Sequence, residues 1–261
     1  MTTLSPRHQQ IITLARAQGS VLVEELALRF DVTPQTIRKD LNDLCDGRLL
    51  ARTHGGAMLT SGVENVGYEA RRQLAAPEKA IIGHHTASLI PNNCSLFINI
   101  GTTTEEVARA LIHHEELLVI TNNIHVASIL MPYPRIDVIL AGGMLRKSDG
   151  GIVGEQAVDF IRQFKVDHAV IGASAIDDDG AMLDFDYREV RAAQAILGNT
   201  RNIILVADAM KFTRTAPVRI AHLSDIDIFV TDRTPPEAIT ELCKHSGVQL
   251  EIAEMQTEAA A

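Results

Sequence analysis

The chain has 261 residues, of which 46 % are hydrophobic, so it is long enough to build two domains with a core in each. Its formal net charge of −9 argues against a nucleic-acid-binding protein when the chain is taken as a whole. The three cysteines are widely spaced and indicate neither disulfides nor a metal site, and no apolar run reaches the length of a membrane span. We therefore expect a cytoplasmic protein without a signal peptide, a metal ion or another cofactor.

The charge is distributed unevenly along the chain. Residues 1–57 contain seven Lys and Arg against six Asp and Glu, whereas residues 58–261 contain 17 against 27. The acidity therefore belongs to the larger part, and the small N-terminal part is free to carry a basic face. Because its net charge of +1 is modest, binding to DNA would require two or more copies acting together.

A pattern of two short helices predicts a helix-turn-helix. The first helix covers Val23–Phe30, and after a two-residue turn Thr33 provides the N-cap of the second. Ile37, Leu41 and Leu44 form one apolar stripe on that second helix. An ordinary helical hairpin with a solvated face is the alternative. The side chains that face outward and can reach base edges or phosphates are Gln35, Thr36, Arg38, Lys39 and Asn42, with Thr33 at the start.

The segments around these helices predict a winged helix over residues 1–59. A further helix precedes the pair. Apolar and polar residues alternate over residues 47–54, which predicts a strand, and the two glycines after it allow the chain to reverse into a second strand. Arg52 and His54 would lie on this wing, close to the sugar-phosphate backbone of DNA. For His54 the alternative is a turn histidine that contacts no ligand. Residues 60–76 show little periodicity and are interpreted as a linker.

Strand and helix patterns alternate over residues 77–252, which is typical of a mostly parallel α/β sheet. Residues 253–261 are expected to be a frayed tail. The predicted strands cover residues 95–100, 117–121, 137–140, 168–171, 202–207, 226–231 and 249–252. The predicted helices cover residues 78–89, 105–112, 124–130, 156–164, 188–197 and 236–244.

Glycine and polar residues follow three successive strands of this sheet. Gly101 follows the first strand, and Thr102, Thr103 and Thr104 then precede the helix that begins at Glu105, an arrangement suited to a phosphate or a carboxylate. Plain capping is the alternative, since Thr103 and Glu106 have the spacing of a capping box. Ligands of open parallel sheets bind outside the carboxyl ends of the strands, where these loops would converge. The loops after the other strands contribute Thr121, Asn122, Asn123, Gly142, Gly143 and Gly154.

Charged residues elsewhere in the domain complete this predicted binding site. Lys211 follows a strand and would supply a positive charge for the anion. Asp186 and Glu189 would accept hydrogen bonds from hydroxyl groups of the ligand. Adjacent histidine pairs at residues 84–85 and 113–114 diverge on a helix and do not predict a metal site.

Several motifs, in the same order along the chain, resemble the DeoR family of bacterial transcriptional regulators. The similarity extends over residues 5–252. The stretches that carry it are Pro34–Leu41, Arg52–Ala57, Gly101–Thr103, Thr121–Asn123 and Ala141–Arg146. Two more stretches, Ser148–Glu155 and Met182–Arg191, are similar to the branch of the family that regulates glycerol metabolism.

The resemblance implies a repressor with an N-terminal winged helix and a C-terminal sensor domain related to ribose-5-phosphate isomerase. It implies a homo-oligomer, dimer or tetramer, that binds double-stranded operator DNA and is released by a phosphorylated sugar or polyol, with glycerol 3-phosphate favoured. Arg146 joins the expected effector-binding residues, as does Asn99, which stands where the family usually has Asp. If that carboxylate accepts a ligand hydroxyl, Asn99 alters effector choice; if it only orders the loop, an amide can replace it.

An active sugar-phosphate isomerase fused to a DNA-binding arm is the alternative from another functional class. Isomerisation through an enediol needs a carboxylate base near the carbonyl group. The related isomerases carry an acidic cluster after a central strand, whereas the corresponding residues 172–177 here are Gly-Ala-Ser-Ala-Ile-Asp. The sequence therefore predicts a sensor that binds its ligand without converting it. A purely structural scaffold would leave the anion-binding loops unexplained.

Overall fold

The computed structural model describes residues 5–18, 20–46, 50–53, 55–59 and 67–254. The chain divides into two compact units, with the boundary between Leu74 and Ala75. Among the helices within those ranges, none is long and apolar enough to cross a membrane.

The N-terminal unit contains three helices and a small antiparallel sheet. Its helices are α1 (Pro6–Gln18), α2 (Val23–Phe30) and α3 (Pro34–Asp46), and its strands are β1 (Ser20–Leu22), β2 (Leu50–Thr53) and β3 (Gly56–Leu59). The strand order is β1-β3-β2. This arrangement confirms the predicted winged helix and adds β1, a strand of three residues that the sequence pattern did not predict.

The apolar stripe of α3 supplies much of the core of this unit. Ile37, Leu41 and Leu44 are fully buried, against residues of α1, α2 and the sheet. The wing packs closely on β1, since a Cβ atom at Gly56 would lie 2.0 Å from the carbonyl oxygen of Val21. Only glycine therefore permits the observed pairing of β1 with β3.

A short helix lies within the predicted linker. This helix, α4, covers Tyr68–Gln73 and belongs to the N-terminal unit. Residues 60–66 of that segment lie outside the described residues. Residues 60–76 remain a predicted linker, within which Tyr68–Gln73 form a helix too short for its helical period to be recognised in the sequence.

The C-terminal unit is organised around one parallel sheet of seven strands. The strands of this unit are β4 (Cys94–Ile98), β5 (Leu117–Thr121), β6 (Ile136–Leu140), β7 (Met144–Arg146), β8 (Gly151–Val153), β9 (Val166–Ile171), β10 (Ala175–Ile176), β11 (Ala181–Asp184), β12 (Thr200–Val206), β13 (Val218–His222), β14 (Ile228–Thr231) and β15 (Gln249–Ile252). Its helices are α5 (Ala76–Ser88), α6 (Thr102–Ala110), α7 (Ile124–Leu130), α8 (Glu155–Ile161), α9 (Tyr187–Gly198) and α10 (Glu237–Ser246).

The large sheet has the order β15-β14-β12-β9-β4-β5-β6, and all its pairings are parallel. These are the seven predicted strands, with ends that differ from the predicted ones by at most two residues. Both faces are covered, because Phe97 packs into one hydrophobic cluster whereas its neighbours Leu96 and Ile98 pack into another. The prediction of a mostly parallel α/β domain is confirmed.

Two smaller sheets were not predicted. Strands β10, β11 and β13 form an antiparallel sheet, and β7 pairs with β8 as a hairpin. Strands β7, β8 and β10 have only two or three residues, too few alternations for a periodicity argument. The hairpin brings Arg146 opposite Gly151 and thereby places a charged side chain near α9.

The order of the strands defines a switch point between β4 and β9. From β4 the chain runs outward through β5 to β6, and it then returns to β9 on the other side of β4. The connections that leave the carboxyl ends of β4 and β9 therefore diverge to opposite sides and open a crevice. The loop from Asn99 to Thr104 lies at this crevice, and the next strand on the other side leads into Gly172.

Candidate functional site

The outward face of α3 presents polar side chains, as predicted. Gln35, Arg38 and Lys39 are exposed, and the hydroxyl of Thr33 accepts a hydrogen bond from the backbone N–H of Thr36 at 3.3 Å. Thr33 therefore caps the helix, as its position in the sequence predicts. Among the described residues, the guanidinium of Arg38 forms a long surface ion pair, with 3.9 Å between its Nη2 and the carboxylate of Glu24. This exposed side chain can therefore move to meet a base edge.

Asn42 and Arg52 contact each other across the domain. The guanidinium of Arg52 donates from Nε and Nη2 to Oδ1 of Asn42, at 3.1 and 2.6 Å. It also donates to the carbonyl oxygens of Arg38 and Gly56, at 3.1 and 3.3 Å. His54, the other predicted wing contact, lies outside the described residues.

The sequence pattern did not predict a buried carboxylate on α3. Asp40 is 6 % exposed and accepts hydrogen bonds from Arg7 at 2.6 and 3.0 Å and from His8 at 3.2 Å. Burial alone would raise the pKa of Asp40, but the hydrogen bonds and charge of Arg7, with those of His8, outweigh it and hold the pKa below its ordinary value. Asp40 therefore ties α1 to the helix that presents the polar face.

Hydrogen bonds between its own residues hold the loop at the switch point in its conformation. Thr104 donates from Oγ1 to the carbonyl oxygens of Asn99 and Gly101, at 2.7 and 2.8 Å, and Asn99 accepts from the N–H of Ile100 at 2.5 Å. An amide or a carboxylate oxygen can fill that last role. Helix α6 begins at Thr102 with Gly101 as its N-cap, so the alternative of a capping box with Thr103 as N-cap is wrong. The first turn therefore carries three buried threonines at the crevice.

The polar residues after β5 join this loop to its neighbours. Thr121 donates to the carbonyl oxygen of Ile98 at 2.7 Å, and Asn123 donates to the carboxylate of Glu105 at 3.2 Å. Asn122 donates to the carbonyl oxygen of Ile152 at 3.1 Å. The Oδ1 atom of Asn122 is buried and has no hydrogen-bond partner among the residues that the structure describes. Two of the predicted side chains therefore serve to connect loops, and Asn122 retains a buried acceptor.

Arg146 lies at the centre of a cluster of carboxylates. It donates to both oxygens of Asp149, at 2.8 and 2.7 Å, to Asp186 at 2.8 Å, and also to Glu189. Burial would lower the pKa of Arg146, but Asp149 and Glu189 outweigh it and raise the pKa above its ordinary value. Burial would likewise raise the pKa of Asp186, which Arg188 and Arg146 instead hold below its usual range. The cluster is acidic overall, and it suits hydroxyl groups better than a phosphate.

Lys211 lies beside a buried carboxylate at the end of β12. Its Nζ is 3.6 Å from Oδ2 of Asp208, which is 2 % exposed. Burial would raise the pKa of Asp208, but the charges of Lys211 and Lys79 and the N–H of Met210 outweigh it and lower the pKa. Lys79, on α5, is itself 2 % exposed and was not selected from the sequence. Lys79, Lys211 and Arg214 thus all place positive charge around Asp208.

Three predicted glycines, Gly142, Gly143 and Gly154, follow β6 and β8. Gly142 and Gly143 are exposed and follow β6, the edge strand two places from β4. Gly154 is the N-cap of α8.

A cleft of about 540 Å³ opens at the other end of the sheet, where Glu116, Leu117, Leu118, Pro134, Arg135 and Asp137 surround it. It is remote in topology from the predicted loops. Within the described ranges, no group of three acidic, histidine or cysteine side chains could hold a metal ion.

The winged helix and the α/β domain define a DNA-binding transcriptional regulator with a sensor domain. Residues 7–62 match the DeoR-like helix-turn-helix domain, and residues 75–233 match the DeoR C terminal sensor domain. The chain belongs to the DeoR family. The resemblance noted in the sequence is thereby confirmed, and so is the prediction of a regulator rather than an enzyme.

Curated relatives match almost the whole chain. The glycerol-3-phosphate regulon repressor of Escherichia coli is 46 % identical over 94 % of this chain and 98 % of its own length. The protein of the same name from Haemophilus influenzae is 47 % identical over 94 % of this chain and 96 % of its own. The transcriptional repressor CsqR of E. coli is 39 % identical over 95 % of both. Among solved structures, ribose 5-phosphate isomerase A from Neisseria gonorrhoeae matches 51 % of this chain and 52 % of its own, with 14 % identity and a TM-score of 0.39.

Proposed function

We propose that this protein represses genes of glycerol metabolism by binding operator DNA, and that glycerol 3-phosphate releases it. The observation that carries the effector half is the crevice between β4 and β9, with the start of α6 on one side. The two relatives named glycerol-3-phosphate regulon repressor, at 46 and 47 % identity, support the choice of effector. The polar outward face of α3 supports the operator half.

The phosphate of the effector binds at the first turn of α6. Backbone N–H groups there have no partner within the helix, and the helix dipole favours a negative charge. Lys79 and Lys211 lie around Asp208, after the strand next to β9, and add positive charge. Because residues 58–261 have a net charge of −10, these local donors must outweigh the general field. The binding residues at the crevice are Asn99, Gly101, Thr102, Thr103 and Thr104.

The hydroxyl groups of the effector bind at the acidic side of the site. Asp186 and Glu189 accept hydrogen bonds, and Arg146 holds both carboxylates in place. Ser174 occupies the loop after β9 and donates to Asp184 at 2.9 Å. Residues 172–177 after β9 lack the acidic cluster that the related isomerases carry there, which favours a sensor that binds its ligand without converting it.

Operator recognition requires at least two copies of the chain. Residues 1–57 carry a net charge of only +1, and one recognition helix reads only a short stretch of the major groove. In the cytoplasm, a homo-oligomer presents two winged helices to two half-sites and gains affinity by avidity. Gln35 and Arg38 contact base edges, and Lys39 contacts phosphates.

Calorimetric titration of the purified protein tests the effector half. Glycerol 3-phosphate is compared with glycerol, inorganic phosphate and ribose 5-phosphate. We expect glycerol 3-phosphate to bind at least tenfold more tightly than either glycerol or phosphate alone, because only it engages both sides of the site. Equal binding of ribose 5-phosphate and glycerol 3-phosphate would contradict the proposed effector.

A further inference from the structure

We propose that Arg52 is a positioning residue that locks the wing against the recognition helix through Asn42, in place of a contact to the DNA backbone. The inference rests on the proposed binding of operator DNA. Its basis is the pattern of hydrogen bonds around the guanidinium, which joins three elements of the winged helix: β2, β3 and α3.

The guanidinium of Arg52 is occupied on all three nitrogens. Nε and Nη2 both donate to Oδ1 of Asn42, Nη2 donates also to the carbonyl oxygen of Arg38, and Nη1 donates to that of Gly56. A guanidinium has five N–H donors, so these four hydrogen bonds leave one. A bidentate contact to phosphate needs two donors. Arg52 would have to break part of this network to bind DNA in that way.

The partners of Arg52 on α3 lie on the face that presents the predicted base-reading residue. Arg38 and Asn42 are four positions apart and are therefore neighbours on that helix. Arg52 donates to the side chain of Asn42 and to the backbone carbonyl of Arg38, while its own strand pairs with β3 at Ala57. The same guanidinium thus fixes both the wing and the C-terminal half of the reading face.

This geometry has a consequence for DNA binding. Specific binding requires the recognition helix and the wing to engage the duplex together, whereas non-specific binding tolerates many arrangements. Loss of the Arg52–Asn42 contact should therefore weaken operator binding more than binding to scrambled DNA. A contact to phosphate would instead weaken both equally and would reduce the dependence of affinity on salt.

The test uses full-length protein and measures affinity for operator and for scrambled DNA over a range of salt concentrations. The variants are Arg52→Ala, Asn42→Ala, the double variant and Arg52→Lys, with Lys39→Ala as the control that removes the same charge from an exposed position of α3. Thermal unfolding of each variant shows whether the winged helix is intact.

We expect Arg52→Ala and Asn42→Ala each to weaken operator binding about tenfold, and the double variant to be no weaker than the worse single variant. Arg52→Lys should not restore affinity, because an ammonium cannot reproduce the planar set of hydrogen bonds. The salt slope of Arg52→Ala should equal that of the wild type, while Lys39→Ala lowers it by about 0.9.

Two results would overturn the proposal. One is a reduced salt slope for Arg52→Ala that Arg52→Lys restores, with Asn42→Ala binding as the wild type does. The other is additivity of the two alanine variants. If Arg52→Ala fails to fold, Asn42→Ala and Arg52→Lys decide by the same comparisons. Failure of the wild type to bind the operator would contradict the proposed function instead.

Discussion

Replacement of Lys211 by alanine should uncouple the effector from an otherwise intact protein. In the structure the positive charges of Lys211, Lys79 and Arg214 act on Asp208 at the end of β12. Lys211→Ala removes one of these charges from a position whose side chain is only 13 % exposed, where screening by water is weak. A charge-assisted hydrogen bond in such a site contributes about 1.5–3 kcal/mol, so affinity for glycerol 3-phosphate should fall at least tenfold.

The control for this variant is Lys244→Ala, which removes the same charge from an exposed position on α10. The side chain of Lys244 is 76 % exposed and forms only a 3.9 Å ion pair with Glu241. Calorimetry gives effector affinity, and a gel shift without effector gives operator affinity. We expect Lys211→Ala to bind operator as the wild type does and Lys244→Ala to behave as the wild type in both assays. An unchanged effector affinity in Lys211→Ala would refute the assignment of the phosphate to this crevice.

Three further predictions concern stability and catalysis. Asp40→Asn should reduce the free energy of unfolding of the N-terminal unit by about 1–3 kcal/mol at pH 7, less than for a fully buried pair because Arg7 is 35 % exposed at its side chain. The folded state lowers the pKa of Asp40, so this carboxylate stabilises the fold above its ordinary pKa of 3.8. The stabilisation disappears as the pH falls through the pKa of Asp40 in the folded state. Unfolding curves of variant and wild type should therefore converge in acid and differ at neutral pH. Arg146→Ala should destabilise the sensor by about 3–5 kcal/mol, and by more at pH 8 than at pH 5, because it leaves three carboxylates close together that repel one another when ionised; a pH-independent loss in thermal unfolding would contradict this expectation. Incubation with ribose 5-phosphate should yield no ketose product, whereas turnover that a pocket variant abolishes would revive the isomerase alternative.

The sequence predicted those parts of the fold whose pattern is long enough to show its period. The seven parallel strands are buried on both faces, and the stripe of Ile37, Leu41 and Leu44 repeats over two turns of a helix. The start of α6 was predicted three residues late, because threonine has a low helical preference, which the tertiary context overrides at Thr102–Thr104. Strand β10 of the small antiparallel sheet has two residues, too few for such a pattern.

The loops that form the candidate site could be predicted from the sequence, whereas the contacts of its side chains could not. Lys79 has a signal that was available, since it shares a helical stripe with the buried residues Ile82, Gly83 and Thr86. Two other contacts had no such signal. The pairing of Arg52 with Asn42 and that of Asp40 with Arg7 join residues from different elements, 10 and 33 positions apart. Such pairings depend on the tertiary packing of the winged helix and leave no periodic pattern in the sequence.

A titration of the protein–operator complex with glycerol 3-phosphate tests most directly whether this effector releases the DNA. Fluorescence anisotropy of the labelled operator reports the fraction that is bound. An effector can shift this equilibrium only if it binds the DNA-free arrangement more tightly. We predict that anisotropy falls to the value of free DNA for the wild type, and that Lys211→Ala stays bound at the same concentration. Retention of the operator by the wild type at saturating glycerol 3-phosphate would contradict the proposed release of DNA by this effector.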